Sequence, residues 1–151
     1  MLVSAIYSRD VTTIPADESV GRVLCLMPGI RSRLVYVTEA DGRLVGVVSS
    51  YDLLKVMLPE YLDANLAKSL AGGENLFLKA FEERSGMRIS EIMSRDLVFC
   101  SPEDTVVEIN ALIRERGVNV LPVLDKQGVL LGEVARRDIL GAVAKICCEI
   151  S

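Results

Sequence analysis

The sequence contains no histidine and no tryptophan, and aromatic residues make up only 5% of it. Histidine is the commonest general base and the commonest metal ligand, so its absence removes the simplest form of most hydrolytic mechanisms and of most metal sites. The sequence also lacks a P-loop, a G-x-G-x-x-G fingerprint and a G-x-S-x-G nucleophile elbow. We therefore expect neither enzyme activity, nor a metal site, nor a catalytic cofactor.

No charge of one sign dominates the chain, because 17 Lys and Arg residues stand against 21 Asp and Glu residues. No apolar run approaches the ~18 residues of a membrane span, and the N-terminus lacks the basic segment of a signal peptide. These features predict no nucleic-acid or membrane partner. The spacing of the cysteines matches neither a C-x-x-C pair nor a zinc site, which favours free thiols in the cytoplasm. They are Cys25, Cys100, Cys147 and Cys148.

The most informative feature that the sequence does contain is an internal repeat. A shift of 86 residues superposes residues 6–11 on 92–97 and residues 41–46 on 127–132 without a gap. Aspartates and glycines match as well as apolar positions do, since Asp52 falls on Asp138. Chance similarity between two apolar segments does not explain that agreement. The chain therefore contains two copies of one structural unit.

Each copy predicts the same element order, β-α-β-β-α. Ser19 and Thr105 stand where the N-cap of a helix is expected, ahead of apolar residues at i, i+3, i+4 and i+7 spacing. Two β-rich runs on either side of a glycine-containing turn predict a hairpin. The predicted elements are strands at about 11–14, 34–37 and 44–48 with helices from Val20 and near Ser50, then strands at about 97–100, 120–123 and 129–134 with helices from Val106 and near Arg136.

The segment between the copies predicts two short helices separated by Gly72 and Gly73. On this basis residues 1–57 form the first copy, residues 58–89 a helical connector and residues 90–151 the second copy. We favour a connector that caps the repeats over a dedicated partner site, because most amphipathic helices are simply packed. Self-association through the connector is a further possibility.

An ordered set of motifs runs through the second copy and is echoed in the first. It consists of residues 92–96 before a strand, Ser101-Pro102 before a helix, residues 120–125 with Gly128, and Gly132 followed by residues 136–140. This set resembles a tandem pair of cystathionine β-synthase (CBS) domains, often called a Bateman module. The resemblance implies an α+β fold of two repeats packed with pseudo-two-fold symmetry. It also implies clefts for adenosine-containing ligands, frequent dimerisation and a regulatory role.

The first cleft is expected around Ser49 and Asp52, which with Gly46 match the family pattern G-x-x-S/T-x-x-D. A strand that ends at Ser49, before a helix, directs backbone N–H groups and the positive helix end toward an anion. The Asp52 carboxylate is suited to accept hydrogen bonds from both ribose hydroxyls, and the Ser49 hydroxyl to donate to a ribose or phosphate oxygen. The resemblance adds a base slot lined by Thr13, Ile14, Leu34 and Tyr36.

The second cleft departs from that pattern, because Ala135 replaces the hydroxyl residue and only Asp138 is retained. Arg136 and Arg137 could compensate by binding phosphate through their guanidinium groups. We expect the first cleft to bind more tightly than the second. The candidate nucleotide-binding residues are Thr13, Ile14, Leu34, Tyr36, Ser49, Tyr51, Asp52, Phe99, Cys100, Val120, Pro122, Arg136, Arg137 and Asp138.

Taken singly, these residues have ordinary structural interpretations as well. Asp52 and Asp138 are also acidic residues in the first turn of a helix, where each carboxylate stabilises the helix by ~0.3–1 kcal/mol through the helix dipole. Tyr36 and Phe99 are also plausible core aromatics, and Ser49 a plain helix cap. Within the repeat we favour ligand contact for Asp52 and leave both interpretations of Asp138 open.

Two functions compete. One is a regulatory module that binds AMP, ADP, ATP or a related adenosyl compound and acts on a separate effector protein. The other is a structural dimerisation module whose degenerate clefts bind nothing. A homodimer is expected in either case, because the last helix of each copy carries apolar residues over an arc too wide for one buried face.

Overall fold

The computed structural model describes residues 1–70 and 72–149. Apart from the first strand of the second repeat, its helices and strands follow the predicted order of two repeats with helices between them, which confirms the α+β fold class. The elements are β1 (Thr12–Ile14), α1 (Val20–Leu26), β2 (Val35–Thr38), β3 (Leu44–Val48), α2 (Ser50–Val56), α3 (Ala64–Lys68), α4 (Glu74–Arg84), α5 (Val106–Arg116), β4 (Val120–Leu124), β5 (Leu130–Ala135) and α6 (Arg136–Cys148). Single turns of 3-10 helix lie at Val3–Ala5, Met27–Gly29 and Ile89–Glu91.

The helices begin at the predicted caps. The Ser19 hydroxyl accepts a hydrogen bond from the Arg22 N–H at the start of α1. Thr105 caps α5 reciprocally, since its hydroxyl accepts from the Glu108 N–H and its own N–H donates to the Glu108 carboxylate. Helix α5 then ends at Gly117, whose φ of +65° is a conformation that side-chain-bearing residues adopt only with strain. Local hydrogen bonding therefore sets these helix limits.

The two sheets differ in the number of strands. In the first half β1 pairs in parallel with β2, and β2 pairs antiparallel with β3. In the second half only β4 and β5 form a ladder. The prediction of a strand at 97–100 is wrong, because this segment forms only one isolated bridge, between Cys100 and Val123. The cause is Pro122 of β4, which has no N–H to donate and so cannot extend the ladder toward residue 98.

Each half receives a chain segment from the other. Val3, near the N-terminus, is completely buried in the core of the second half, and its N–H donates to the Asp104 carbonyl at 2.8 Å. Ile89 is buried in the core of the first half, where its N–H donates to the Glu18 carbonyl at 2.8 Å. The same exchange of segments places Ser94 beside Val47 of β3, where the two residues form an isolated antiparallel bridge. Each cleft of the molecule is consequently built from both halves.

The halves also meet at their hairpin turns. The Leu44 N–H donates to the Gly128 carbonyl at 3.0 Å, and the Leu130 N–H donates to the Gly42 carbonyl at 3.1 Å. Both turn glycines have positive φ, +88° at Gly42 and +84° at Gly128. A third, smaller core that contains Leu44 and Leu124 lies next to this contact. These reciprocal bonds show that the two repeats are packed with pseudo-two-fold symmetry.

The connector forms the two predicted helices, α3 and α4, and α4 packs on α1. The Gly21 N–H donates to the Ser85 carbonyl at 2.9 Å, and a Cβ at Gly21 would lie 2.7 Å from the Ser85 Cβ. Arg84 donates to the Val56 carbonyl at 2.6 Å. Several apolar side chains of the connector stay exposed, among them Tyr61, Phe77 and Leu78. Within residues 1–70 and 72–149, the helices are all too short or too polar to cross a membrane.

Candidate functional site

A cavity of about 360 Å³ lies between the two halves, at the C-terminal end of β3. Ser49 and Asp52 enter it from the first half, and the segment 94–98 and the start of β4 enter it from the second. We call it the first cleft. Its lining residues are Leu34, Val47, Ser49, Asp52, Ser94, Asp96, Leu97, Val98, Gly117, Val118, Asn119, Val120 and Pro122.

Ser49 and Asp52 are held in position by a capping box at the start of α2. The Ser49 hydroxyl accepts from the Asp52 N–H at 3.1 Å, and Asp52 Oδ2 accepts from the Ser49 N–H at 2.9 Å. Asp52 Oδ1 lies 3.7 Å from Lys55 Nζ, and the carboxylate is only partly exposed. The structural interpretation of both residues as a helix cap is therefore correct. The same bonds fix the carboxylate at the cavity wall, with its geometry set before any ligand arrives.

Apolar side chains form the opposite walls of the first cleft. Leu34, which precedes β2, and Val47 of β3 come from the first half, and Leu97, Val120 and Pro122 come from the second. An apolar slot beside a carboxylate and a hydroxyl is the usual composition of a small-molecule site with a few polar groups that set orientation.

A second, wider cavity of about 570 Å³ adjoins the first cleft and shares Leu34, Ser49, Asn119 and Val120 with it. Its further lining includes three arginines, Arg33 from the first half and Arg136 and Arg137 from the N-terminus of α6. The guanidinium of Arg136 is anchored, because its Nε donates to the Val118 carbonyl at 3.1 Å. We call this region the arginine mouth. It places fixed positive charge beside the polar end of the first cleft, where an anionic group would be favoured.

The structure brings together eight of the fourteen residues predicted to bind a nucleotide. All eight line the first cleft or the arginine mouth. They are Leu34, Ser49, Tyr51, Asp52, Val120, Pro122, Arg136 and Arg137.

The structure does not place Thr13 with Ser49, although both were expected at the first cleft. Thr13 is exposed on β1, and its neighbour Ile14 is buried in the core of the first half. The exchange of segments explains this difference: residues 94–98 of the second half, and not β1, lie against Ser49. Phe99 is 53% exposed and lies apart from the cavity lining.

Cys100 and Tyr36 are core residues of this fold. Burial raises the pKa of the Cys100 thiol to about 12. Tyr36 is completely buried, and its hydroxyl donates to Glu133 Oε1 at 2.7 Å. Burial, followed by the negative charge of Glu133, raises the pKa of Tyr36 far above its usual value. Neither side chain reaches the first cleft.

Asp138 caps α6 without reaching the first cleft. Its Oδ2 accepts from the Ala135 N–H at 2.8 Å, which repeats half of the capping box seen at Asp52. Asp138 lies instead beside Lys145 and the N-terminal turn that contains Ala5. Arg137 lines both this region and the arginine mouth, whereas Asp138 does not line the mouth.

Sequence reasoning missed several residues that line the first cleft, notably Ser94, Asp96 and Asn119. The segment 92–96 was identified as a family motif, but its place beside Ser49 follows from the exchange between halves, which local periodicity does not show. Among the described residues, no group of three or more Cys, Asp or Glu side chains is arranged to hold a metal ion.

Comparison with known proteins agrees with this architecture. A family model for the CBS domain matches residues 3–59 and 89–145. A CBS domain-containing protein of Dictyostelium discoideum is 30% identical over 146 residues, which are 97% of this chain and 93% of that protein.

Two crystal structures share the fold. CBSX2 in complex with AMP has a TM-score of 0.72 and 22% identity, covering 96% of this chain and 97% of that one. A CBS domain pair in complex with 5′-methylthioadenosine and S-adenosyl-L-methionine has a TM-score of 0.70 and 18% identity, covering 97% and 98%. The chain therefore belongs to the CBS domain family and consists of a tandem pair of CBS domains.

Proposed function

We propose that this CBS pair is a non-catalytic regulatory module that binds an adenosine-containing ligand of the AMP, ADP or ATP type in the first cleft. The observation that carries the proposal is the composition of that cleft: a preset carboxylate and hydroxyl, apolar walls, and an arginine mouth at one end. The two structural neighbours hold AMP in one case and 5′-methylthioadenosine with S-adenosylmethionine in the other. Adenosine is what those ligands have in common.

The distribution of charge along the cleft favours one orientation of a nucleotide. Asp52 and Asp96 line the inner cavity, and carboxylates there repel phosphate while accepting hydrogen bonds from ribose hydroxyls. Arg33, Arg136 and Arg137 line the mouth, where their forked donors match phosphate oxygens. In the proposed pose the base packs against the apolar walls, the ribose faces Asp52 and Ser49, and the phosphates extend to the mouth.

Because both halves line the first cleft, a ligand in it contacts both at once. A ligand that binds one arrangement of the halves better than another shifts the population toward that arrangement, by no more than its difference in affinity. We propose that this shift is read by a separate effector protein in the cytoplasm, where the exposed Cys25 thiol would stay reduced.

A homodimer is part of the proposal. Leu54 on α2 and Leu140 on α6 are 64% and 67% exposed, and Val143 and Ile146 continue the apolar face of α6. Apolar side chains grouped on exposed helices are typical of an interface. The same observation supports the alternative function, a structural dimerisation module whose clefts bind nothing.

A calorimetric panel of AMP, ADP, ATP and S-adenosylmethionine separates the two functions. The proposed sensor binds at least one of them, and a ligand present at 100 times its dissociation constant stabilises the fold by about 2.7 kcal/mol. If the protein is dimeric by light scattering but none of the four compounds binds or raises its melting temperature, the dimerisation function replaces the sensor. A monomer at micromolar concentration contradicts the proposed dimer.

A further inference from the structure

The repeat relates each residue that lines the first cleft to one that is 86 positions away, and at three positions the partners differ sharply in size and polarity. Val47 corresponds to Glu133, Pro122 to Tyr36, and Asn119 to Arg33. We call the second cleft the region around the Glu133 and Tyr36 side chains, with Asp138 as the counterpart of Asp52. It adjoins the arginine mouth, because Arg33 and Ala135 line that mouth. Larger side chains therefore stand at second-cleft positions where the first cleft has an open cavity.

The backbone bridge beside each cleft is the same, so the side chains at Val47 and Glu133 can be compared directly. Val47 and Ser94 exchange two backbone hydrogen bonds, of 3.0 and 2.9 Å. Glu133 and Ser8 exchange the two corresponding bonds, of 2.9 and 2.8 Å. Both bridges are antiparallel and lie 86 residues apart. The side chain of Glu133 thus occupies the place in the second cleft that Val47 occupies in the first.

The Glu133 carboxylate is satisfied entirely from within the chain. Only 6% of the residue is exposed, and it is the one charged residue found buried in the described part of the chain. Its Oε1 accepts from the Tyr36 hydroxyl at 2.7 Å, and the Arg33 N–H donates to Oε2 at 3.0 Å and to Oε1 at 3.2 Å. A ligand that displaced these donors would leave a buried carboxylate without partners, which is strongly unfavourable.

We propose that Glu133, held by Tyr36 and Arg33, acts as an internal anion that keeps the second cleft closed, so that each chain binds a single nucleotide. The inference rests on the proposed function, since it concerns which of the two clefts that ligand enters. Asp138 keeps its position at the start of α6 in both the closed and the opened second cleft, because its bond to the Ala135 N–H is independent of Glu133. An opened second cleft therefore retains the carboxylate that corresponds to Asp52.

The test is a calorimetric titration with ATP of four proteins: wild type, Asp52→Ala, the double variant Glu133→Val with Tyr36→Phe, and that double variant combined with Asp52→Ala. The double variant copies Val47 and removes the phenol hydroxyl that would otherwise be orphaned. Glu133→Gln is the matched control, because it preserves the side-chain volume and an oxygen acceptor. Circular dichroism and melting temperature establish folding, and Glu133→Ala replaces the double variant if that variant does not fold.

The expected stoichiometry is one ATP per wild-type chain and none for Asp52→Ala. It rises to two for the double variant, whose second site is weaker by roughly 10- to 100-fold because Ala135 supplies no hydroxyl. The triple variant binds one ATP, and Glu133→Gln binds one as the wild type does. Two sites in the wild type, or no added site in a folded double variant, overturn the closure by Glu133. Added binding in the double variant with no binding in the wild type supports the closure and rejects the proposed function.

Discussion

The two halves of this chain share a repeat and a capping aspartate, yet the helix that follows the hairpin has a hydroxyl cap, Ser49, in the first half and Ala135 in the second. Ser49 and Asp52 form a complete capping box at the cavity wall, whereas Ala135 leaves Asp138 with one half of that box. The comparison teaches that an inherited pattern does not by itself make two equal sites. Changes at single positions decide which cleft can accept a ligand.

The largest expected effect of a substitution falls on Asp52. Asp52→Ala removes the acceptor for two ribose hydroxyls, each of which costs ~1–3 kcal/mol when left unpaired, so micromolar binding of AMP or ATP falls toward millimolar. The fold survives, since the lost helix interactions are worth about 1 kcal/mol. Asp138→Ala is the matched control and leaves binding nearly unchanged. Equal losses for the two variants in calorimetry would contradict the difference between the clefts.

The paired strand glycines, Gly46 and Gly132, test how rigidly the exchanged segments are held. A Cβ at Gly132 would overlap the backbone carbonyl of Ser8, whereas a Cβ at Gly46 would lie 2.5 Å from the Met93 sulfur. A methionine side chain can move aside, but a backbone carbonyl held in a two-bond bridge cannot do so cheaply. Gly132→Ala should therefore destabilise by about 1–3 kcal/mol, and Gly46→Ala by less. Urea unfolding of both variants measures the difference.

Alkaline pH should weaken the fold through two buried groups, Cys100 of the second half and Tyr36 of the first, and the thiol acts first because its usual pKa is the lower of the two. The pKa of the Cys100 thiol is raised to about 12, from 9.0. Because the folded-state pKa is raised, the thiol of the unfolded chain loses its proton at a lower pH than the thiol of the folded chain does. The free energy of unfolding is therefore unaffected by this group below pH 9 and decreases between pH 9 and 12. The decline is about 1.4 kcal/mol per pH unit.

The matching measurement is unfolding free energy against pH for wild type and Cys100→Ala. The variant should be less stable at neutral pH but show the shallower decline above pH 9. Cys25→Ala is the control, because Cys25 is exposed and its replacement should leave the slope unchanged. Parallel curves for wild type and Cys100→Ala would show that the buried thiol does not set the alkaline limit.

The smallest predicted effects come from exchanging the cap residues. Ser49→Ala removes the hydroxyl that accepts a hydrogen bond from the Asp52 N–H, and should lower the free energy of unfolding by about 1 kcal/mol. Ala135→Ser adds a hydroxyl cap to α6 and should raise the free energy of unfolding by part of that amount. Thermal unfolding of the two single variants and of the double exchange measures both. A gain from Ser49→Ala, or a large loss from Ala135→Ser, would contradict the capping geometry.

Local patterns in the sequence were sufficient to predict the two repeats and the starts of the helices. Ser19 and Thr105 cap the predicted helices because capping depends on residues within one turn. The missing strand at 97–100 depends on Pro122, more than 20 residues away, whose lack of an N–H matters only once the pairing partner is known.

The candidate site was harder to predict because the decisive contacts are distant in the chain. The helix cap and the apolar run around Val120 and Pro122 were found from local motifs. Thr13 was grouped with Ser49 because both belong to the first repeat, whereas the exchange places residues 94–98 there instead. The sequence does not indicate the role of Glu133, because its partner Tyr36 is 97 residues away. The alternation of apolar and polar residues along β5 gives no sign of that contact.

The most direct test of the central claim is a crystal structure of the protein with bound AMP. We expect one AMP per chain in the first cleft, with the ribose hydroxyls on the Asp52 carboxylate, the base between Leu34 and Val120, and the phosphate toward the arginine mouth. The hydrogen bond between Tyr36 and Glu133 should be intact in the same crystal. AMP bound in the second cleft, or in both clefts equally, would contradict the account.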